Sequence, residues 1–377
     1  MSMSTVRLFV FLLVFGCSIS PVFSQGDVTS CEQTLNQASA EFDAGRFYGL
    51  PALLKGCLEG GFTNEQRFRA YYLLAQAYLI LDDPIAAEDS YLKLLRINPE
   101  FKPNVKTDPI DLVYLSRKFT SRPRFTPHAR IGANVSFPRS IFEVSTYSSA
   151  VPISQTLRTG FQIGGGVDFN INDNWSLCLE GNFSTKSFTT DVKNIAKDDN
   201  STVIDKSNWV DIPFYVKYSY DSGRWRPFAY AGGALNLLLS SSVTAAYDDN
   251  TVSALSTSTK IAEGPDIDLS YQRRSLNRSF IIGGGVKYKI GKNFVYADAR
   301  YMFGLNSLAI PEKNYYNPDG TLSTAITTNQ YVSDFFRLDN LSISVGYIAP
   351  LYDPRKIKKI NPKGFFRNLF KAKAKKK

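Results

Sequence analysis

Residues 279–290 alternate: Phe280, Ile282, Gly284, Val286, Tyr288 and Ile290 fall on one side, and Ser279, Gly283, Gly285, Lys287 and Lys289 on the other, with Ile281 the one apolar exception. Successive strand residues point to opposite faces, so the pattern predicts a strand with one oily and one polar face. A Gly291-Lys292-Asn293 turn leads into a second alternating run, with Val295, Ala297, Ala299, Tyr301, Phe303 and Leu305 opposite Asp298 and Arg300. The pair reads as a long hairpin. The pattern recurs, and eight strands are predicted at 128–137, 157–171, 174–186, 209–220, 226–239, 279–290, 293–305 and 338–350.

The connections between these strands alternate as well. Asn172-Asp173, Asp221-Ser222-Gly223 and Gly291-Lys292 are short turns, whereas the intervening connections are long and rich in Ser, Thr, Asp and Asn. Short turns on one rim and long loops on the other form the pattern of an outer-membrane barrel, with both termini on the periplasmic rim. A soluble barrel would turn its apolar face inward. Here the polar faces carry single charges of both signs, Asp168, Glu180, Asp211 and Asp298 with Lys217, Lys287, Lys289 and Arg300, which are expected to pair inside a small lumen. Trp175, Tyr218, Tyr220, Phe228 and Tyr230, near strand ends, suit interfacial girdles.

Residues 31–118 carry helical periodicity instead. Thr63 is a fair N-cap with Gln66 three residues on, and Pro84 opens a further helix. Residues 68–101 resemble one tetratricopeptide repeat, with Tyr71, Leu74, Ala75, Tyr78, Ala87, Tyr91 and Pro99 at that motif's large, small and proline positions. That resemblance implies a protein-binding module, with Tyr71, Leu74, Tyr78 and Tyr91 as the partner groove; a helical spacer is the competing reading.

Three stretches of the barrel region, WVDIPFYVKYSY (209–220), RPFAYAGGALNLLL (226–239) and VYADARYMFGLNSL (295–308), resemble the PorT-like outer-membrane barrel family of the Bacteroidota. The resemblance covers residues 125–350 and implies the barrel fold; PorT-like proteins are linked to protein secretion and gliding machinery. The expected fold class is α+β and multidomain, a small tetratricopeptide-like helical domain followed by an eight-stranded antiparallel transmembrane β-barrel. The expected segments are a signal peptide (1–24), a periplasmic helical domain (25–100), a linker (101–126) with room for a short helix at 110–118, the barrel (127–350) and a basic periplasmic tail (351–377).

Arg7, the apolar run 8–15 and Val22-Phe23-Ser24 read as a signal peptide, so the chain is expected in the cell outer membrane, with its helical domain and tail in the periplasm. Gly16-Cys17 offers lipidation as an alternative to removal. Cys31 and Cys57 would meet in an antiparallel helix pair; export favours a disulfide over two separate buried thiols, and Cys178 is expected free. Export also excludes nucleic acid as the natural partner. Outer-membrane lipids and a periplasmic protein are the expected partners.

The chain's formal charge of +10 is local, because residues 353–377 hold eleven Lys and Arg and one acid. Lys363, Arg367, Lys371 and Lys373 interleave with Phe365, Phe366, Leu369 and Phe370, which suits an anionic headgroup layer; a solvated tail is the other reading. His128, the one histidine, falls at the periplasmic start of the first strand, away from where a Ser/His/acid set would gather. The triplets 164–166 and 283–285 lie inside strands and are not phosphate loops, and no metal-ligand spacing is present. The sequence thus predicts no enzyme and no cofactor. The remaining choice is a scaffold, with a small channel or transporter component as the alternative.

Overall fold

Two of the helices begin at caps that the sequence supplies. A computed structural model describes residues 26–144, 153–192, 200–249, 260–329 and 331–357; the signal segment, Cys17 and the tail positions Lys363, Arg367, Lys371 and Lys373 lie outside the described residues. Helices α1 (Gly26–Asp43), α2 (Leu50–Glu59), α3 (Asn64–Ile80), α4 (Pro84–Ile97) and α5 (Ile110–Ser116) come first. Thr63 and Gln66 close a reciprocal capping box at the start of α3. Asp83 accepts from the Ala86 amide at the start of α4, where Pro84 needs no donor.

The chain divides into two compact units, residues 1–121 with 354–377, and residues 122–353. In the first, Leu35, Ala38, Leu50, Leu54, Phe62 and Leu74 make one apolar cluster. Ala75, Ala87, Tyr91, Leu94, Leu112, Leu115 and Phe119 make another. Cys31 and Cys57 are joined, with Cα atoms 5.7 Å apart, and tie α1 to α2.

The segment bounds need two refinements in this unit. Residues 101–126 hold the short helix that the sequence offers at 110–118, and they pack: α5 buries Leu112 and Leu115, and the Phe101 ring lies 5.1 Å from that of Phe68. The tail does not begin as a free extension. β13 (Arg355–Lys356) pairs antiparallel with β1 (Phe119–Thr120), and Lys356 Nζ lies 2.7 Å from Glu88 Oε2.

The second unit is a single antiparallel sheet. Its strands are β2 (Phe125–Phe142), β3 (Ile153–Leu157), β4 (Thr159–Asn170), β5 (Trp175–Val192), β6 (Asn200–Ser219), β7 (Trp225–Asp249), β8 (Lys260–Glu263), β9 (Ile267–Asp268), β10 (Leu276–Ile290), β11 (Asn293–Gly304) and β12 (Phe335–Ile348). Following the ladders, β2 pairs β4, then β5, β6, β7, β10, β11 and β12, which pairs β2 again, so the sheet closes on itself. Among the described residues the sheet holds eleven strands, of which eight make the closed ring and β3, β8 and β9 lie outside it. The extra ones arise because β5, β6 and β7 run past the apolar band, and β3, β8 and β9 pair with those extensions. Two apolar clusters hold that end: Phe188, Trp209, Leu308 and Phe336, and Val203, Val243, Ala245, Ile267, Leu269 and Ala325, the last on the short helix α6 (Thr324–Asn329).

Burial in this sheet is inverted relative to a soluble barrel. Ile343 is 64% exposed, whereas its neighbour Ser344 is 1% exposed. Phe161, Ile163, Phe214, Leu235, Ile282 and Val345 are likewise exposed, while Gln162, Asp211, Asn236, Ser279 and Ser342 are buried. Such a face is stable only against hydrocarbon. Among the described residues no helix is long and apolar enough to cross a membrane.

Candidate functional site

The polar faces converge inside the ring. Glu180 on β5 is the hub: Arg300 donates from Nη1 at 2.8 Å and Nη2 at 3.0 Å, a two-pronged contact. Asn182 donates at 3.0 Å, Arg130 Nη1 lies 3.5 Å away, and the Tyr215 hydroxyl also donates to Glu180. Asp168 receives Lys217, and Asp298 receives the Tyr230 hydroxyl with Arg130 Nη2 3.4 Å away. Three carboxylates thus meet three permanent cations, all buried. Unpaired, each would be several kcal/mol costlier inside than in water. The Arg300 guanidinium also lies over the Tyr215 and Tyr230 rings, at 5.4 and 5.1 Å, and those rings stack at 4.5 Å.

Glycine makes room for this packing. A Cβ on Gly283 would lie 2.5 Å from the Tyr230 ring, and one on Gly166 would lie 2.7 Å from Glu180 Cγ. Pro213 contributes differently. It has no N–H to give β5, and the β5–β6 ladder skips from Leu179↔Phe214 to Asn182↔Asp211, leaving out the hub residue.

Farther along the lumen, Asp211 accepts from Ser184 at 2.7 Å and Lys186 at 3.0 Å. Lys186 stands 5.1 Å over the Trp209 ring beside a cavity of about 20 Å³ lined by Asn236, Asn277 and Met302, room for about one water. At the far end Arg273 pairs with Asp205, both buried, and its guanidinium lies 5.3 Å over Phe336. Side chains therefore occupy the described interior from one end to the other.

Of the residues singled out from sequence, Asp168, Glu180, Asp211, Lys217, Asp298 and Arg300 meet in these pairs. Lys287 does not join them; its partner is Asp221 in the short turn, 2.7 Å away, because its strand position lies at the rim. His128 sits near the start of β2, as its sequence position implies, but its side chain is buried among the lumenal carboxylates. Its Nε2 lies 3.2 Å from Glu180 and its Nδ1 3.6 Å from Asp168. His128, Arg130 and Asn134 share one face of β2, so alternation could have placed all three inside.

The expected partner groove needs a correction too. Leu74 and Tyr91 are 5% and 2% exposed and belong to the helical core, so they cannot line an open groove. Tyr71 and Tyr78 pack against the same clusters. Tyr72, unremarked in the sequence, donates to Asp108 at 2.9 Å, and burial together with that carboxylate pushes its hydroxyl up to about 12.

Residues 120–309 match the family described as outer membrane protein beta-barrel domain. The chain belongs to this family. It is an outer membrane β-barrel protein with a helical N-terminal region. Among solved structures it is similar to OprG from Pseudomonas aeruginosa, at 12% identity and a TM-score of 0.30 over 63% of this chain and 99% of that one. It is also similar to the outer membrane protease OmpT from Escherichia coli, at 12% identity and a TM-score of 0.33 over 62% and 98%. The outer membrane enzyme PagL is matched at 12% identity and a TM-score of 0.21 over 60% and 99%. No curated protein matches in sequence. The expectation that the chain is not an enzyme is corrected by this set: a protease and a second enzyme are among the barrels matched, so the fold does not exclude catalysis. At such identity these likenesses bring no activity or ligand to this chain.

Proposed function

We propose that this outer membrane barrel is an eight-stranded, PorT-like anchor whose tetratricopeptide-like helical unit and tail lie in the periplasm. There it recruits a protein partner within a secretion or envelope assembly. The observation that carries the reading is the occupied lumen, where Glu180 and its charge-balanced neighbours leave the interior to structure and not to passage. The helical unit supports a binding role through its exposed Tyr48 and Ile85, 88% and 81% exposed. Both barrel termini support the orientation: Ile348, at the end of β12, pairs with His128, near the start of β2, on the short-turn rim.

A small channel or transporter component is the second reading, favoured by the cavity beside Lys186. Bilayer recording on the purified full chain separates the two. The anchor reading expects no steady conductance, and a reproducible pore would overturn it. Crosslinking in cells with the full chain, compared with a chain lacking 26–121, should then show a partner held through the helical unit.

A further inference from the structure

One cross-strand pair on the outer wall breaks the usual rule of sheet pairing. Arg139 on β2 and Arg337 on β12 are direct antiparallel partners. Directly opposed side chains stand on the same face, about 5 Å apart at Cβ, and like charges there repel. Alternation puts both on the outward face, in phase with Val135 and Phe137 on one strand and Leu341, Ile343 and Val345 on the other. The nearby acid, Asp339, pairs with Arg139. Asp339 Oδ1 lies 3.2 Å from Arg139 Nη2, while its carboxylate also receives the Gly304 amide at 2.8 Å and the Tyr301 hydroxyl at 3.3 Å. Arg337 Nε is buried with no hydrogen-bond partner.

The surroundings are those of a membrane interface. Below the pair, Phe137 and Tyr301 have ring centroids 6.5 Å apart. Above it Phe142 and Phe335 face each other at 6.4 Å. The neighbouring acids, Glu143 and Asp334, lie beyond the bulge between Phe335 and Phe336, and Asp334 is engaged by the Val144 amide at 2.9 Å. Two opposed arginines with a counter-charge on Arg139 alone, an unused buried donor on Arg337 and aromatic neighbours suit a planar or tetrahedral oxyanion carried on a lipid.

We propose that Arg139 and Arg337 form a binding site for the phosphate of an outer-leaflet glycolipid on the lipid-facing wall of the barrel. The leaflet assignment rests on the proposed orientation, in which the long-loop rim faces outward; phosphate recognition does not. The phosphate would neutralise the excess positive charge of the pair, satisfy Arg337 Nε and hold one lipid against β2 and β12.

Native mass spectrometry of the detergent-purified full chain tests this with three probes: a phosphorylated lipid A-type glycolipid, its dephosphorylated form, and phosphatidylglycerol. The wild type should retain the phosphorylated glycolipid best. Arg337→Gln should weaken retention about tenfold, the loss of one charge-assisted contact, and Arg337→Lys by less. Arg278→Gln, which removes an outward arginine from β10, should change nothing. Heat-dependent gel mobility reports whether each variant is folded. A folded Arg337→Gln that retains the glycolipid like wild type, or equal retention of the dephosphorylated form, overturns the site. Equal retention of phosphatidylglycerol overturns the glycolipid as its ligand. A tag at Asn317 that is unlabelled on intact cells, with retention intact, overturns the orientation and not the phosphate contact.

Discussion

The two units of this chain obey opposite burial rules. In the helical unit, leucines such as Leu35, Leu54 and Leu94 are fully buried, and charged pairs such as Lys93–Asp89 stay at the surface. In the barrel, Glu180, Arg300 and Asp211 are buried, and Ile163, Ile282 and Ile343 are exposed. One protein thus uses a water-driven core in one unit and a hydrogen-bonded, charge-balanced core in the other. The difference teaches that apolar exposure has no fixed meaning until the solvent on that face is known.

The largest break should come from the hub. Glu180→Gln leaves Arg300 and Arg130 without their shared carboxylate, and should cost the barrel about 3–5 kcal/mol. Urea titration followed by gel mobility should show the loss, while the helical signal keeps its midpoint. A second test sets two exposed isoleucines against each other. Ile343→Arg on the lipid face should cost about 2–4 kcal/mol near the bilayer midplane. Ile85→Arg, on the more exposed residue of the pair, should stay within about 0.5 kcal/mol. Equal effects would erase the distinction between the units.

Of similar size, but confined to the other unit, is the loss of the Cys31–Cys57 bridge. Cys57→Ala should cost the helical unit about 2–4 kcal/mol and leave barrel mobility unchanged. Thiol counting on the denatured mature chain should find one reactive group without reductant and three with it. The smallest effect belongs to Glu88. Its carboxyl is held below the usual range, first by the hydrogen bond from Lys356 and further by Lys118. A lowered folded pKa stabilises above the unfolded value near 4.3 and is lost as pH falls through the folded one. The pairing of β13 with β1 should therefore loosen below about pH 4, by no more than about 1 kcal/mol for so exposed a pair. Exchange of the Ile357 amide, which donates to Lys118 at 2.7 Å, reports it.

Much of the barrel was legible because lipid and lumen impose a period of two. The alternation around 279–305 and at 338–350 marked β10, β11 and β12 within a few residues. It also put Asp168, Glu180 and Arg300 inside. Beyond the apolar band that signal vanishes. Residues 200–208 and 240–249 are mostly polar and read as loop, yet they continue β6 and β7, held by the cross-strand ladder itself. Partner choice was less legible than facing. Lys287 and Lys217 share the inward pattern, but height along the barrel gives one to Asp221 and the other to Asp168. In the helical unit the opposite holds: caps and the disulfide could be read locally, whereas the return of 355–356 to β1 depends on a contact more than 200 residues away.

The central claim is that the barrel's oily face meets lipid and its polar face is packed inside. Single cysteines placed in turn at positions 341–347, in a Cys178→Ser background with the native disulfide intact, can carry spin labels in lipid nanodiscs. Accessibility to dissolved oxygen should be high at 341, 343, 345 and 347 and low at 342 and 344. High values at the even positions with low ones at the odd, or no alternation at all, would contradict the account.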